Sequence, residues 1–308
     1  MTDVHDTYRP ICPARSSFVP VRGLDYHVLA WGEPGAAPPI VMLHGWMDVA
    51  ASFQFVVDAL EGTALAGRRV IAPDWRGFGL TEPPRPTDSY WFPDYLGDLD
   101  VLLRALAIAG PVDLVGHSMG GNVVMSYAGV RPGRVRRLVN LEGFGMPRTE
   151  PRHAPKRLAQ WLESLAEPQS LKTYADAGEV AERLRKNNPR LAPDKASWLA
   201  PHWSRRADDG RLHILGDPAH KRPNPVLYRV EEILETWKLI SAPVLWVEAA
   251  DSQPEAWWGG RYSRAEFHER LQVVPQAERH VLADAGHMLH HDQPHALAAR
   301  LAAFLGAA

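Results

Sequence analysis

The stretch that decides the fold is a short apolar run followed by glycine, histidine and serine: Leu114-Val115-Gly116-His117-Ser118-Met119-Gly120-Gly121. The residues before it predict a buried strand, and the apolar positions from Asn122 to Arg131 predict a helix directly after it. A strand that turns at once into a helix holds the turn residue, Ser118, in a strained backbone conformation. The glycines two positions before and after Ser118 fit because larger side chains would collide where strand and helix cross.

This strand–turn–helix pattern predicts a nucleophile elbow, in which the serine hydroxyl stands clear at one edge of a sheet. The N–H of Met119 would then lie in the first turn of the helix. A five-residue Gly-x-Ser-x-Gly match alone is common by chance, so the rest of the chain must support the interpretation.

The composition is that of a soluble globular protein. The chain has 308 residues, of which 45% are hydrophobic, and a formal net charge of −2 from 34 basic and 36 acidic side chains. Neither nucleic acid nor an anionic membrane is therefore an expected partner. The single cysteine, Cys12, fits a reducing compartment. Met1 to Arg22 lacks the layout of a secretory signal and no stretch is long enough for a membrane span, so we expect a cytoplasmic protein.

Largely apolar strands alternate with helical patterns along most of the chain, which predicts an α/β fold with a mostly parallel sheet covered on both faces. Residues 148–236 interrupt the alternation. They are rich in Pro, Trp, Arg and Ala, and they predict short helices, such as Lys156 to Ala166 and Ala177 to Lys186, with no strand. We interpret them as an insertion.

Four stretches with chemically reactive side chains follow predicted strands, and three of them place a serine, an acid and a histidine in that order. The pattern resembles the α/β-hydrolase superfamily from about Phe18 to the end of the chain. The motifs that carry the resemblance are His44-Gly45-Trp46, Asp74-Trp75-Arg76-Gly77-Phe78-Gly79, Gly116-His117-Ser118-Met119-Gly120-Gly121 and Gly286-His287.

The resemblance implies an eight-stranded, mostly parallel sheet flanked by helices, with a helical lid inserted after the sixth strand. The predicted domains are residues 1–147 and 237–308 for the core and 148–236 for the lid. It also implies that Ser118 is the nucleophile and His287 its base. His280, His290 and His291 are nearby alternatives, but only His287 lies at the family position.

The third member of the triad has two candidates. Asp251 follows the predicted strand Val244 to Val247, which is the commonest family position, although the glycine that often precedes it by three residues is missing. Glu142 follows the strand Val135 to Leu141, where some haloalkane dehalogenases have their acid. We favour Asp251 on position, since either carboxylate can orient His287.

The same resemblance implies an oxyanion hole formed by the N–H groups of Trp46 and Met119. Asp74 and Arg76 are expected to hold a loop together. Tryptophans of the insertion and nearby loops are expected to line a pocket or to pack the insertion onto the core: Trp161, Trp198, Trp203, Trp237, Trp257 and Trp258.

A serine at position 118 argues against epoxide hydrolase and haloalkane dehalogenase activity, because those relatives use a carboxylate there. We expect a serine hydrolase that acts on small or medium carboxylic esters and needs no cofactor or metal. Hydrolysis of a carbon–carbon bond in a dienone acid, perhydrolysis and simple ligand binding remain open, as does a homodimer. Recognition of the carboxylates of a dienone acid would use basic groups of the insertion: Arg152, Lys156, Arg157 and Arg183.

The sequence gives little support for a metal site. Three potential ligands are adjacent in sequence, and we do not expect adjacent side chains to converge on a metal without partners elsewhere: His290, His291 and Asp292.

Overall fold

The computed structural model describes residues 8–307, so part of the N-terminal segment considered above lies outside the described residues. Its strands are β1 (Arg15–Val21), β2 (Leu24–Trp31), β3 (Ile40–Leu43), β4 (Val70–Pro73), β5 (Val112–His117), β6 (Val135–Leu141), β7 (Thr173–Tyr174), β8 (Ser204–Arg206), β9 (Leu212–Ile214), β10 (Val244–Ala249) and β11 (Ala277–Leu282).

Eight of these strands form one sheet in the order β1-β2-β4-β3-β5-β6-β10-β11. Strand β2 is antiparallel to both of its neighbours, and the other pairs are parallel. The predicted mostly parallel, eight-stranded sheet is therefore confirmed. From β3 the chain continues to β4 on one side of it and then to β5 on the other side. In open α/β sheets, ligands bind at such a switch point, in the crevice at the carboxyl ends of the strands.

Helices cover both faces of the sheet. They are α1 (Gln54–Leu60), α2 (Phe92–Ala105), α3 (Met119–Val130), α4 (Ala154–Ala166), α5 (Ala177–Asn187), α6 (Pro193–Trp203), α7 (Val230–Lys238), α8 (Pro254–Trp257), α9 (Arg264–Leu271), α10 (Leu289–Asp292) and α11 (Pro294–Leu305). None of the helices in residues 8–307 combines the length and the apolar character needed to cross a membrane.

The burial of strand β3 on both faces of the sheet explains why its sequence is apolar throughout. All four of its residues are fully buried, and their side chains alternate between the two faces of the sheet. Ile40 and Met42 face a core built with α1 and α11, whereas Val41 and Leu43 face a core built with α2, α3 and α9. The sheet is thus the middle of three layers.

The segment between β6 and β10 leaves and re-enters the sheet between two neighbouring parallel strands. It contains α4 and α5 where helices were predicted, and α6 as a further helix, but it also forms an antiparallel sheet in the order β7-β9-β8. The prediction that this segment has no strand is wrong, because strands of two or three residues are too short to show a period-two pattern. Helix α7 runs across the predicted boundary between residues 236 and 237, and the domain boundaries stay a prediction.

Candidate active site

Ser118 lies in the turn between β5 and α3, with backbone angles of φ 52° and ψ −113°. Few non-glycine residues adopt a positive φ, and such strain is concentrated at functional sites. Its N–H donates to the carbonyl oxygen of Leu141 at 2.8 Å, which ties the turn to the end of β6. A Cβ atom on Gly116 would lie 2.3 Å from the carbonyl oxygen of Gly120, so the close crossing predicted from the glycines is present.

His287 lies in the loop after β11, and its Nε2 atom is 3.0 Å from the Ser118 Oγ atom. The loop is anchored on both sides of the ring. The N–H of Gly286 donates to the Asp292 carboxylate at 2.8 Å, and His117 Nε2 donates to the His287 carbonyl oxygen at 2.8 Å. Burial lowers the pKa of His287 to about 4, so its imidazole is neutral near pH 7 and can accept a proton.

Glu142 follows β6 directly, and its Oε2 atom lies 3.3 Å from His287 Nδ1. Its φ of 58° turns the fully buried carboxylate toward the site. The N–H of Ala249 donates to Oε1 at 2.7 Å, and the hydroxyl of Ser252 donates to Oε2. Burial raises the pKa of Glu142 to about 7, while these two hydrogen bonds oppose the rise.

Asp251 lies elsewhere. Its carboxylate pairs with Arg190 at 2.6 Å, and about half of its side chain is exposed, at 49%. The structure therefore does not bring Asp251 to His287, and the preference for Asp251 over Glu142 is corrected. The physical reason is that Asp251 comes two residues after β10, where its backbone bonds to Ala285 and its side chain reaches the surface. Ser252, its neighbour, faces inward instead and supports Glu142, a contact that no sequence pattern indicated.

The two amides predicted to form an oxyanion hole are placed beside Ser118. Met119 is the first residue of α3, and Trp46 follows Gly45, on which a Cβ atom would lie 3.2 Å from the Ser118 Cβ atom. Within residues 8–307, neither N–H group has a protein acceptor. Both donors are thus available to a ligand, and their role in catalysis stays a prediction.

Asp74 and Arg76 hold loops together, as predicted. The Asp74 carboxylate accepts hydrogen bonds from the N–H groups of Ala50 and Leu80 and contacts the His27 ring. Arg76 forms a two-point pair with the buried carboxylate of Asp98, at 2.7 and 2.8 Å. Neither side chain is part of the Ser118 site.

A cavity of about 480 Å³ opens over Ser118 and His287. The insertion forms much of its wall, through Tyr174 and Trp203 among others, and Trp257 stands on the core side. Trp257 packs edge-on against the His287 ring, with 4.4 Å between the ring centroids. Trp161 and Trp198 pack elsewhere: Trp161 donates to Ser89, and Trp198 lies against Phe55. Trp203 and Trp257 therefore line the cavity, whereas Trp161 and Trp198 pack the insertion onto the core, which was the other expected role.

Comparison with known proteins agrees with the geometry. Residues 38–294 match the family model of the alpha/beta hydrolase fold. A "Serine hydrolase-like protein" of Danio rerio is 26% identical over 254 residues, which cover 80% of this chain and 76% of that protein. An "Epoxide hydrolase 2" of Siraitia grosvenorii is 37% identical over 123 residues, covering 40% of this chain and 37% of the plant protein.

Among solved structures, the thioesterase domain from the curacin biosynthetic pathway superimposes with a TM-score of 0.80 and is 26% identical. The match covers 94% of this chain and 99% of the thioesterase domain. The similarity therefore extends through the insertion as well as the sheet. The chain belongs to the α/β-hydrolase fold family.

Proposed function

We propose that the protein is a serine hydrolase that cleaves carboxylic esters of small or medium acyl groups through an acyl-enzyme intermediate. The observation that carries the proposal is the 3.0 Å contact between Ser118 Oγ and His287 Nε2 at the floor of the cavity. A serine hydroxyl becomes a useful nucleophile when a base within hydrogen-bond distance removes its proton.

In the first half of the reaction, the neutral imidazole of His287 takes the Ser118 proton while Oγ attacks the ester carbonyl carbon. The carbonyl oxygen becomes an oxyanion, which the N–H groups of Trp46 and Met119 stabilise. One such donor contributes on the order of 3 kcal/mol to the barrier reduction. The tetrahedral intermediate then expels the alcohol, which receives the proton from His287.

In the second half, water attacks the acyl-enzyme and His287 takes its proton. The carboxylic acid leaves as the proton returns to Ser118. Glu142 is the proposed orienting acid, because it accepts from His287 Nδ1 and so keeps Nε2 free to act as the base. Its negative charge also stabilises the imidazolium that forms twice in each cycle.

The cavity supports a small or medium substrate. Its volume of about 480 Å³ lies at the lower end of the range usual for small-molecule sites. The serine hydrolase-like and thioesterase names of similar proteins support acyl transfer at Ser118. We infer that the insertion acts as a lid, because it supplies most of the cavity wall opposite Ser118.

The test is the intact mass of the protein after incubation with a fluorophosphonate, for the wild type and for Ser118→Ala. We expect one adduct per chain in the wild type and none in the variant. A panel of p-nitrophenyl esters from acetate to octanoate then gives the acyl preference. Folded wild-type protein that forms no adduct and cleaves no ester would contradict the proposal and would favour a ligand-binding protein.

A second candidate is the hydrolysis of a carbon–carbon bond in an acidic substrate such as a dienone acid. The observation that favours it is the positive charge that the insertion places at the cavity. Lys172, Arg183 and Lys221 line it, whereas Asp48 is the sole acidic residue in the lining described. Loss of dienolate absorbance on mixing with a dienone acid, at a rate that exceeds ester turnover, would place this activity first.

A further inference from the structure

A second cluster of polar side chains lies beneath the proposed active site. Asp48, His117 and His290 come from the loop after β3, the end of β5 and helix α10, and all three are at least 97% buried. Each offers one potential ligand atom, and these atoms lie within 4.8 Å of one another. We call these three residues the Asp48 cluster. The proposed ester mechanism uses none of them.

The hydrogen bonding of His117 determines which of its ring nitrogens is free. Its Nε2 atom lies 2.8 Å from the carbonyl oxygen of His287, so Nε2 must carry the proton and donate. In a neutral ring, Nδ1 then has a lone pair and no proton. Nδ1 is buried and has no hydrogen-bond partner among the described residues. In metal-binding histidines, one ring nitrogen typically donates its proton to a carbonyl or carboxylate, and the other offers its lone pair to the metal. His117 has this arrangement.

Asp48 has the same division between a satisfied atom and a free one. Its Oδ1 atom accepts from the N–H of Val49 at 2.8 Å and from the Ser52 hydroxyl. Its Oδ2 atom is buried without a partner among residues 8–307 and lies 3.8 Å from His290 Nε2. Both ring nitrogens of His290 are likewise buried and unpaired in the described part of the chain.

The unpaired atoms of the Asp48 cluster suit a cation. A cation bound between the two imidazoles and the Asp48 side chain would satisfy unpaired atoms on all three residues.

We propose that the Asp48 cluster binds one divalent transition-metal ion, such as Zn²⁺ or Co²⁺. Two imidazoles and one carboxylate form a donor set that suits these ions and does not suit Mg²⁺ or Ca²⁺, which take oxygen ligands. Asp48 and His117 also line the cavity, which provides the entry path. The sequence did not predict the site because adjacent His290 and His291 lacked evident partners, and the fold supplies Asp48 and His117.

The ion has a structural role at this position. His117 directly precedes Ser118, and its Nε2–H holds the carbonyl of His287. The ion therefore links three loops, those after β3, β5 and β11, that carry Trp46, Ser118 and His287. It stabilises the folded chain by binding it in preference to the unfolded chain.

The experiment is a titration of the full, chelator-treated chain with Co²⁺, followed by visible absorption and by metal content after dialysis. We compare the wild type with Asp48→Asn, His290→Ala and the control His295→Ala, which removes an exposed histidine five residues along the chain. The wild type and the control should bind one Co²⁺ per chain with the strong bands of a four- or five-coordinate site. Each cluster variant should bind at least about tenfold more weakly.

Thermal unfolding provides the second readout. Zn²⁺ should raise the melting temperature of the wild type and of His295→Ala, and at the same concentration it should raise that of Asp48→Asn by less. Because Asn is close in shape to Asp, this variant decides the question if His290→Ala does not fold. Equal binding by all four proteins, or none by the wild type, would overturn the proposal. Repeating the titration on Ser118→Ala separates metal binding from ester turnover.

Discussion

Two residues of the candidate active site have backbone conformations that non-glycine side chains seldom adopt. Ser118 has φ 52° and Glu142 has φ 58°, and they follow the neighbouring strands β5 and β6. Such a conformation costs on the order of 1–3 kcal/mol. The N–H of Ser118 bonds to Leu141 and that of Glu142 to Val247, so the sheet itself holds both residues in place.

Glu142→Gln should lower kcat for ester hydrolysis by roughly 10³–10⁴-fold. The amide cannot stabilise the imidazolium, and if its NH₂ faces Nδ1 it selects the wrong tautomer of His287. Asp251→Asn is the matched control, since Asp251 pairs with Arg190 at the surface, and it should change kcat by less than about threefold. Steady-state kinetics on a p-nitrophenyl ester measures both. A larger loss in Asp251→Asn than in Glu142→Gln would restore Asp251 as the triad acid.

Ser252→Ala should move the acid limb of the pH profile of kcat/KM to higher pH. The Ser252 hydroxyl favours the ionised form of Glu142, whose pKa is about 7 in the wild type. Removing the hydroxyl therefore raises this pKa above 7. The active form needs the carboxylate, and activity is therefore lost as pH falls through that pKa. We expect a shift of about one pH unit. Ser197→Ala, an exposed serine of α6, should leave the profile unchanged, and identical limbs in all three proteins would refute the role of Ser252.

At the scale of elements, the elbow depends on a backbone approach between the start of α3 and the end of β3. A Cβ atom on Gly120 would lie 2.1 Å from the carbonyl oxygen of Leu43, far inside the contact distance. The obstacle is backbone in a central, buried strand, which has little room to move. The position of Ser118 relative to the His44-Gly45-Trp46 loop is therefore tied to the absence of a side chain here.

Gly120→Ala should destabilise the protein by about 1–3 kcal/mol and also reduce kcat/KM. Alanine favours a helix over glycine by about 1 kcal/mol, but the collision outweighs that gain. Urea unfolding and ester kinetics measure the two effects. Gly110→Ala is the control, because a Cβ atom there meets nothing within 4 Å. Unchanged stability and activity in Gly120→Ala would show that the strand can shift.

At the scale of the whole molecule, one buried carboxylate connects distant parts of the chain. Asp113 in β5 is fully buried. Its carboxylate pairs with Arg68, which precedes β4, and with Arg136 in β6, whose Nε atom lies 2.8 Å from Oδ1. Arg136 also donates to the carbonyl oxygen of Leu305 at the end of α11. The group joins the sheet edge opposite the active site to the C-terminal helix, so its contribution is to stability.

Asp113→Ala should lower the free energy of unfolding by about 3–5 kcal/mol, because it leaves two arginines without their buried partner. The ester activity of the folded fraction should be unchanged, since the site lies at the other end of the strands. Urea denaturation gives the free energy. Glu82→Gln, which breaks an exposed pair with Arg205, is the control and should cost no more than about 1 kcal/mol. Similar losses in both variants would mean that the Asp113 group contributes no more than a surface pair.

Much of the architecture was predictable because it depends on local patterns. Apolar runs such as Ile40 to Leu43 indicated buried parallel strands, and Gly116 and Gly120 indicated the crossing of β5 with α3. Ser263 and Glu266 have the spacing of a capping box, and the Ser263 side chain accepts from the N–H of Glu266 at 3.1 Å at the start of α9. The short strands β7, β8 and β9 were not predictable, because two or three residues are too few to show a period-two pattern, and β7 also pairs with a strand distant in sequence.

The sequence by itself determined the class of fold, and it selected Ser118 and His287 as candidates for the nucleophile and its base, because these predictions depend on neighbouring residues and on their order in the chain. Only the tertiary structure decided which acid meets His287, since Glu142 and His287 are 145 residues apart and their contact depends on the direction of side chains at strand ends. It also decided that Asp48, His117 and His290 converge. Strand order brings these three residues to one edge of the sheet, and no local pattern contains that information.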